Sequence, residues 1–169
     1  MEYYAGIGSR ETPLDKLEDI HWVAKYCESK GIVLRSGGAD GADSMFESAV
    51  TNDKLKEIYL PWKGFNGNKS SLYRITDESL IIAKKFHPSF DKLSLPARKL
   101  MARNTYQVLG YDLNTPSKFI VCWTKGGKWT GGTSQALRIA KAQYIPIINL
   151  YWKSANEAID LIEIIRTIS

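Results

Sequence analysis

Short apolar runs alternate with helical patterns along the chain, and this alternation limits the possible folds more than any other feature. Five runs are apolar or β-branched enough to be strands: residues 3–7, 32–34, 57–60, 119–123 and 145–150. Segments with helical spacing or helix-capping signals lie between and after them. Strands that alternate with helices form a parallel sheet covered on both faces. The sequence therefore predicts an α/β, Rossmann-like fold with a parallel sheet of about five strands.

Capping signals indicate where the helices begin. Thr12 with Asp15, and Ser154 with Glu157, have the spacing of a capping box. Thr76 and Ser94 are candidate N-caps for two further helices, and these two helices lie within a basic helical excursion at about 62–110. We expect a single domain over residues 1–169.

Glycines cluster at three points, each after a predicted strand: residues 6–8, 37–41 and 126–132. In a parallel sheet these three loops emerge at the same edge, and each leads to the N-terminus of a helix. Free backbone N–H groups at such a terminus attract anions, and glycine allows a close approach. The alternative is that each loop is only a tight turn between a strand and a helix.

Several side chains near these loops suit a nucleotide. Arg10 could bind a phosphate through its guanidinium group, or pair with a neighbouring acid on the surface. Asp40 and Asp43 could cap the following helix, or one of them could accept hydrogen bonds from a ribose or a base. Trp62, Trp123 and Trp129 could stack on a base or pack in the core. No GK[ST] motif is present, so ordinary P-loop hydrolysis of a nucleoside triphosphate is not supported.

The basic charge is concentrated in one part of the chain. The formal net charge is +5, while residues 62–103 alone carry six Lys and three Arg against two Asp and one Glu. This distribution indicates an anionic partner, which could be a small phosphate-bearing molecule or a single-stranded nucleic acid. A solvated basic face is the simpler explanation of the same charges.

Composition excludes other classes of protein. Cys27 and Cys122 are isolated from each other and from histidine, so we predict no metal site, no cofactor and two reduced thiols. We expect no membrane-spanning segment and no secretory signal, hence a cytoplasmic protein. The last helix has more apolar residues than one face requires, which indicates either burial on two sides or a homo-oligomer.

Five stretches occur in the order found in the DNA-processing protein A family: "GIGSRETP", "LRSGGADGAD", "YLPW", "ARNTYQVLG" and "TGGTSQALRIAKAQYIPIINL". The chain thus resembles a stand-alone, single-domain member of the SLOG superfamily, which also contains the LOG cytokinin-activating enzymes. The resemblance implies a Rossmann-like, nucleotide-binding fold. It implies these ligand-binding residues: Gly8, Ser9, Arg10, Ser36, Gly37, Gly38, Ala39, Asp40, Gly41, Asp43, Arg103, Asn104, Gly131, Gly132 and Thr133.

The resemblance leaves three functions open. LOG enzymes cleave an N-glycosidic bond with a glutamate three residues after a motif threonine, and Ala136 stands there in this chain. We therefore expect a protein that binds a nucleotide or a nucleotide-derived signal, as a sensor or a sequestering protein. A nucleoside-phosphate N-glycosidase is the alternative, with a carboxylate from Asp40, Asp43 or Glu47. Of these, Asp43 and Glu47 are the candidate catalytic residues. Single-stranded DNA binding, as in DNA-processing protein A, is the third function.

Overall fold

The computed structural model describes residues 1–168, and its five strands form one parallel sheet in the order β3-β2-β1-β4-β5. The strands are β1 (Tyr3–Gly8), β2 (Val33–Ser36), β3 (Lys56–Ile58), β4 (Phe119–Trp123) and β5 (Ile147–Asn149). All neighbouring strands pair in parallel. The predicted α/β, Rossmann-like fold is confirmed.

Six α-helices cover the two faces of the sheet. They are α1 (Leu14–Ser29), α2 (Ala42–Ala49), α3 (Asp77–Phe86), α4 (Leu95–Leu109), α5 (Thr133–Ala142) and α6 (Ala155–Ile168). Alternate residues of β1 belong to different cores: Tyr4 packs with Phe46 of α2, while Ala5 packs with Leu137 of α5. This alternation is what a strand buried on both faces requires.

The predicted excursion at about 62–110 forms part of the helical layer on one face of the sheet, together with α5. Helix α4 contacts β1, β2 and α5, and α3 packs outside it. Every residue from position 102 to position 109 is buried, including Arg103 and Asn104. Residues between 100 and 107 of α4 lie beside the glycine-rich loops at the carboxyl edge of the sheet, whereas the end of the helix lies near the start of β4, where Ser117 N donates to Val108 O at 2.7 Å.

The helix starts agree with the predicted caps except at α1. Thr76 and Ser94 accept hydrogen bonds from Ser79 N and Ala97 N, and Ser154 and Glu157 cap each other reciprocally. The predicted capping by Thr12 is wrong, because its hydroxyl donates to Ser9 O at 2.7 Å. This bond holds the loop after β1 in place.

Helix α6 buries Ala158 and Ile162 but exposes Ile164 and Ile168, so the homo-oligomer stays a prediction.

Cys27 and Cys122 are free and buried, and burial raises the pKa of each thiol to about 12, so both stay protonated. None of the helices within residues 1–168 has the length and apolar character needed to cross a membrane.

Candidate functional site

The loops after β1, β2 and β4 meet at the carboxyl edge of the sheet and enclose a cavity of about 380 Å³. Parallel pairing of Gly8 with Trp123 brings the ends of β1 and β4 side by side. Helix α4 closes the remaining side. Ten predicted ligand-binding residues line the cavity: Gly8, Ser9, Arg10, Ala39, Asp43, Arg103, Asn104, Gly131, Gly132 and Thr133.

The cavity has a buried end and an exposed rim. Asp43, Arg103, Asn104 and Gln107 form the buried end, and each is at most 6% exposed. The rim consists of the exposed residues Arg10, Glu11, Lys125, Thr130 and Gly131. Lys125 and Glu11 form an ion pair at 3.7 Å across the rim. A ligand entering from solvent therefore meets two cations and one carboxylate before it reaches the buried polar groups.

Asp43 is the buried carboxyl group of the site. It lies in the first turn of α2 and accepts a hydrogen bond from Ala39 N at 3.3 Å and another from Gly8 N. Burial raises the pKa of Asp43 to about 6, although Arg103 and the two backbone donors oppose this. A carboxyl group that titrates near neutral pH inside a cleft is a candidate for binding or proton transfer.

Arg103 connects α4 to the loop after β2. Its Nη1 donates to Gly37 O and to Tyr59 O, and its Nε donates to Asn104 Oδ1. Burial lowers the pKa of Arg103, and the neighbouring Asp43 carboxylate opposes that shift. None of these bonds uses Nη2. The side chain therefore holds the wall of the cavity and adds positive charge beside Asp43.

The loop after β4 offers the most open glycines of the three. A Cβ on Gly131 would meet nothing within 4 Å, and one on Gly132 would meet only the end of Met101 at 3.7 Å. Asn104 Nδ2 donates to Gly132 O at 2.9 Å and fixes the loop to α4. The loop leads into α5, where Ser134 N and Gln135 N donate to Gly131 O and Gly132 O at 3.3 and 3.2 Å. An anion can approach the backbone here.

The glycines after β2 have a different role from the one predicted. A Cβ on Gly37 would overlap the side chains of Arg103 and Gln107. A Cβ on Gly41, where φ is +78°, would lie 2.6 Å from the carbonyl oxygens of Ser9 and Arg10. These two glycines therefore allow the protein's own groups to pack closely, and they do not leave room for an anion.

Four predicted residues lie away from the cavity, as do Gly37 and Gly41. Ser36 is fully buried, and its hydroxyl donates to Gly6 O at 2.6 Å. Gly38, Asp40 and Glu47 line a wider second cleft of about 1060 Å³ beside β3. Glu47 lies one helical turn beyond Asp43, where Asn68 Nδ2 donates to its carboxylate at 3.0 and 3.1 Å. The two candidate catalytic carboxylates therefore face separate clefts.

The tryptophans proposed for base stacking do not line the cavity. Trp123 is buried in the core, whereas Trp62 and Trp129 are partly exposed outside it. The alternative of core packing is therefore correct for Trp123.

Gln107 and Lys125 also line the cavity, although they were not among the residues expected from the sequence. Gln107 follows Arg103 by four residues, which places both on one face of α4. Lys125 is the second residue after β4, as Arg10 is the second residue after β1. Helical spacing from Arg103 and position after a strand were the signals that could have found them.

Comparisons with known proteins add one similar structure. No protein-family model and no curated protein matches the chain. Among solved structures, the chain is similar to a molybdenum cofactor binding protein from the phototrophic bacterium Rippkaea orientalis. The TM-score is 0.44 and the sequence identity is 15%, over 97% of this chain and 96% of that chain.

Proposed function

We propose that the chain binds a nucleotide, or a nucleotide-derived phosphate ligand, in the cavity at the carboxyl edge of the sheet. One observation carries this proposal: loops after three parallel strands and one face of α4 enclose a single cavity with cationic groups at its rim and polar groups at its buried end. Ligands of open α/β sheets bind at this edge. The resemblance to the SLOG superfamily supports the same function.

The phosphate is best accommodated between Arg10, Lys125 and the loop at residues 130–133. The glycines of that loop leave space beside the backbone, and the loop opens helix α5. Helix N-termini attract anions through unpaired N–H groups and the helix dipole. Arg10 adds a planar guanidinium donor that can form two bonds to one phosphate.

Isothermal titration against nucleoside mono-, di- and cyclic phosphates tests the proposal. We expect saturable binding by the wild type, and an affinity about tenfold lower in Arg10→Ala because a charged hydrogen bond is lost. Lys141→Ala removes an exposed cation from the last turn of α5, outside the cavity, and should bind like the wild type. Absence of binding across the whole panel would refute the proposed function.

Salt dependence distinguishes a small ligand from single-stranded nucleic acid. A nucleic acid that neutralises several phosphates binds less tightly by orders of magnitude as salt rises. A mononucleotide held in the cavity should show a shallow dependence. A steep dependence with an oligonucleotide, together with no binding of mononucleotides, would favour the third function.

A second candidate function rests on Asp43. A nucleoside-phosphate N-glycosidase needs a carboxyl group that can exchange a proton beside the scissile bond. Asp43 meets this requirement because it is buried, lines the cavity and has a pKa raised to about 6. Water would add to the anomeric carbon while the bond from that carbon to the base breaks, so that the products are a sugar phosphate and a free base.

Release of free base from nucleoside 5′-monophosphates tests the enzymatic candidate. Asp43→Asn should abolish the release, whereas Glu47→Gln should leave it unchanged because Glu47 faces the second cleft. Binding without any release would support the binding protein over the enzyme.

A further inference from the structure

Gln107 has a side-chain oxygen without a partner in the part of the chain that the structure describes. The residue is 1% exposed, it lines the buried end of the cavity, and its Oε1 accepts no hydrogen bond among residues 1–168. A buried polar atom without a partner costs about 1–3 kcal/mol, so such atoms in folded proteins call for an explanation.

A second buried glutamine shows what a structural amide looks like in this protein. Gln135 is fully buried, its Nε2 donates to Ala83 O at 2.9 Å, and its Oε1 accepts from Arg138 Nη2 at 2.7 Å. Both ends of that amide therefore have protein partners. Gln107 differs in having an unpaired oxygen and in lining a cavity, and both differences indicate a partner that comes from outside the chain.

The neighbouring Asp43 limits the kind of group that this partner can be. Its carboxylate also lines the buried end, and two backbone N–H groups occupy only part of its capacity to accept hydrogen bonds. The buried end thus offers two acceptors, Gln107 Oε1 and the Asp43 carboxylate. A hydrogen-bond donor satisfies both acceptors, which lie beside the Arg103 guanidinium.

We propose that Gln107 and Asp43 bind the sugar hydroxyls of the ligand and that Gln107 makes the site selective for a ribose over a deoxyribose. This rests on the proposed function, because it requires a phosphate at the rim. The sugar is the group next to the phosphate in every nucleotide, so a phosphate at Arg10 places hydroxyl groups, which are donors, toward the buried end.

Two variants of α4 separate this role from a structural one. Gln107→Met keeps a similar shape and replaces the whole amide, including the unpaired oxygen, with apolar atoms. Thr105→Val is the matched control, because Thr105 is fully buried on the same helix and its Oγ1 also has no partner among residues 1–168, yet it does not line the cavity. Since each change removes an unsatisfied polar atom, neither should lower the thermal unfolding midpoint.

Titration of the four ribonucleoside 5′-monophosphates and their 2′-deoxy and 3′-deoxy counterparts then tests the selectivity. We expect at least one deoxy form to bind the wild type about tenfold more weakly. We expect Gln107→Met to bind the ribonucleotide about tenfold more weakly and to lose most of this discrimination. Thr105→Val should bind the ribonucleotide like the wild type and keep the discrimination between ribose and deoxyribose.

Three results would overturn the inference while leaving the proposed function intact. They are equal binding of ribose and both deoxyribose forms, unchanged affinity in Gln107→Met, and a lowered unfolding midpoint in Gln107→Met but not in Thr105→Val. If the wild type binds neither these monophosphates nor the di- and cyclic nucleotides, the proposed function fails and this inference fails with it.

Discussion

Two arginines of this protein are almost wholly buried, and they serve different purposes. Arg35 lies in β2, where its Nη1 donates to Thr115 O at 2.6 Å and to Ser117 Oγ at 3.2 Å. Its guanidinium group lies 4.0 Å from the Tyr3 ring. Arg103 lies in α4, has Asp43 beside it and borders the cavity.

Burial of a charge therefore does not by itself mark a binding site. Acceptors surround Arg35 on several sides, including Glu57 at 3.4 Å, so its guanidinium group is bound by the protein itself. Arg103 shares a cavity with a carboxyl group whose pKa is raised and with an amide oxygen that has no partner. An unpartnered polar atom that also lines a cavity, more than burial, distinguishes the surroundings of Arg103 from those of Arg35.

Replacement of Arg35, the arginine with a structural role, should change stability the most. Arg35→Met leaves Thr115 O, Ser117 Oγ and the Glu57 carboxylate without their shared donor. We expect the free energy of unfolding to fall by about 4 kcal/mol, measured by chemical denaturation. Nucleotide affinity of the folded variant should be unchanged, and a weakened affinity would show that Arg35 also acts on the site.

The next effect concerns the acid beside Arg103 and depends on pH. The pKa of Asp43 is raised to about 6 in the folded chain from about 3.8 in the unfolded chain, so the folded state holds the extra proton between pH 4 and pH 6. Asp43 therefore lowers the stability of the wild type as pH rises through this window, by about 3 kcal/mol.

The side-chain amide of the Asp43→Asn variant cannot ionise, so this variant should not lose stability as pH rises through the window. Denaturation at pH 4, 5, 6 and 7 should show the variant gaining stability relative to the wild type up to pH 6, with no further gain above pH 7. A constant difference between the two proteins across this range would show that Asp43 is ionised throughout.

Two matched glycine variants test whether the two arginines differ in their roles, because each buried arginine packs against a glycine. A Cβ on Gly37 would overlap Arg103, and a Cβ on Gly110 would lie 2.9 Å from Arg35 Nη2. We expect each alanine variant to lose about 2 kcal/mol of stability, at Gly110 partly because φ is +84°.

Titration calorimetry should then separate the two glycine variants. Gly37→Ala moves a wall of the cavity and should weaken nucleotide binding, whereas Gly110→Ala should not. Equal effects on binding would remove the distinction between the two arginines.

The smallest effect is expected for Lys125, a cation that is exposed where the two arginines are buried. Lys125 pairs with Glu11 at the rim, where both side chains are largely exposed. Lys125→Ala should leave the free energy of unfolding within about 0.5 kcal/mol of the wild type, because exposed ion pairs contribute little. Affinity for a nucleotide should fall about threefold, measured by titration calorimetry in low salt. A large loss of stability would contradict this.

The fold could be predicted from the sequence because its signals are local. Phe119–Trp123 is one apolar run and coincides with β4, and Ser154 with Glu157 caps α6 as its spacing indicated. Thr12 was predicted wrongly as a cap because its hydroxyl could reach either the helix or the loop after β1, and only the folded chain decides.

The site was harder to predict because packing between distant segments decides which side chains meet. Gly37 and Gly41 looked like places for an anion, yet Arg103 and the loop after β1 occupy the space beside them. Asp43 and Glu47 have helical spacing, but one helical turn places them in different clefts. The unpaired oxygen of Gln107 has no signature in the sequence, since it depends on what every neighbour fails to donate.

The most direct measurement is a crystal structure of the protein with its tightest-binding nucleotide. We expect a phosphate within hydrogen-bonding distance of Arg10 and of the loop at residues 130–133, with a sugar hydroxyl at Gln107 and Asp43. A nucleotide in the second cleft beside Glu47, or on the outer surface of α3 and α4, would contradict it.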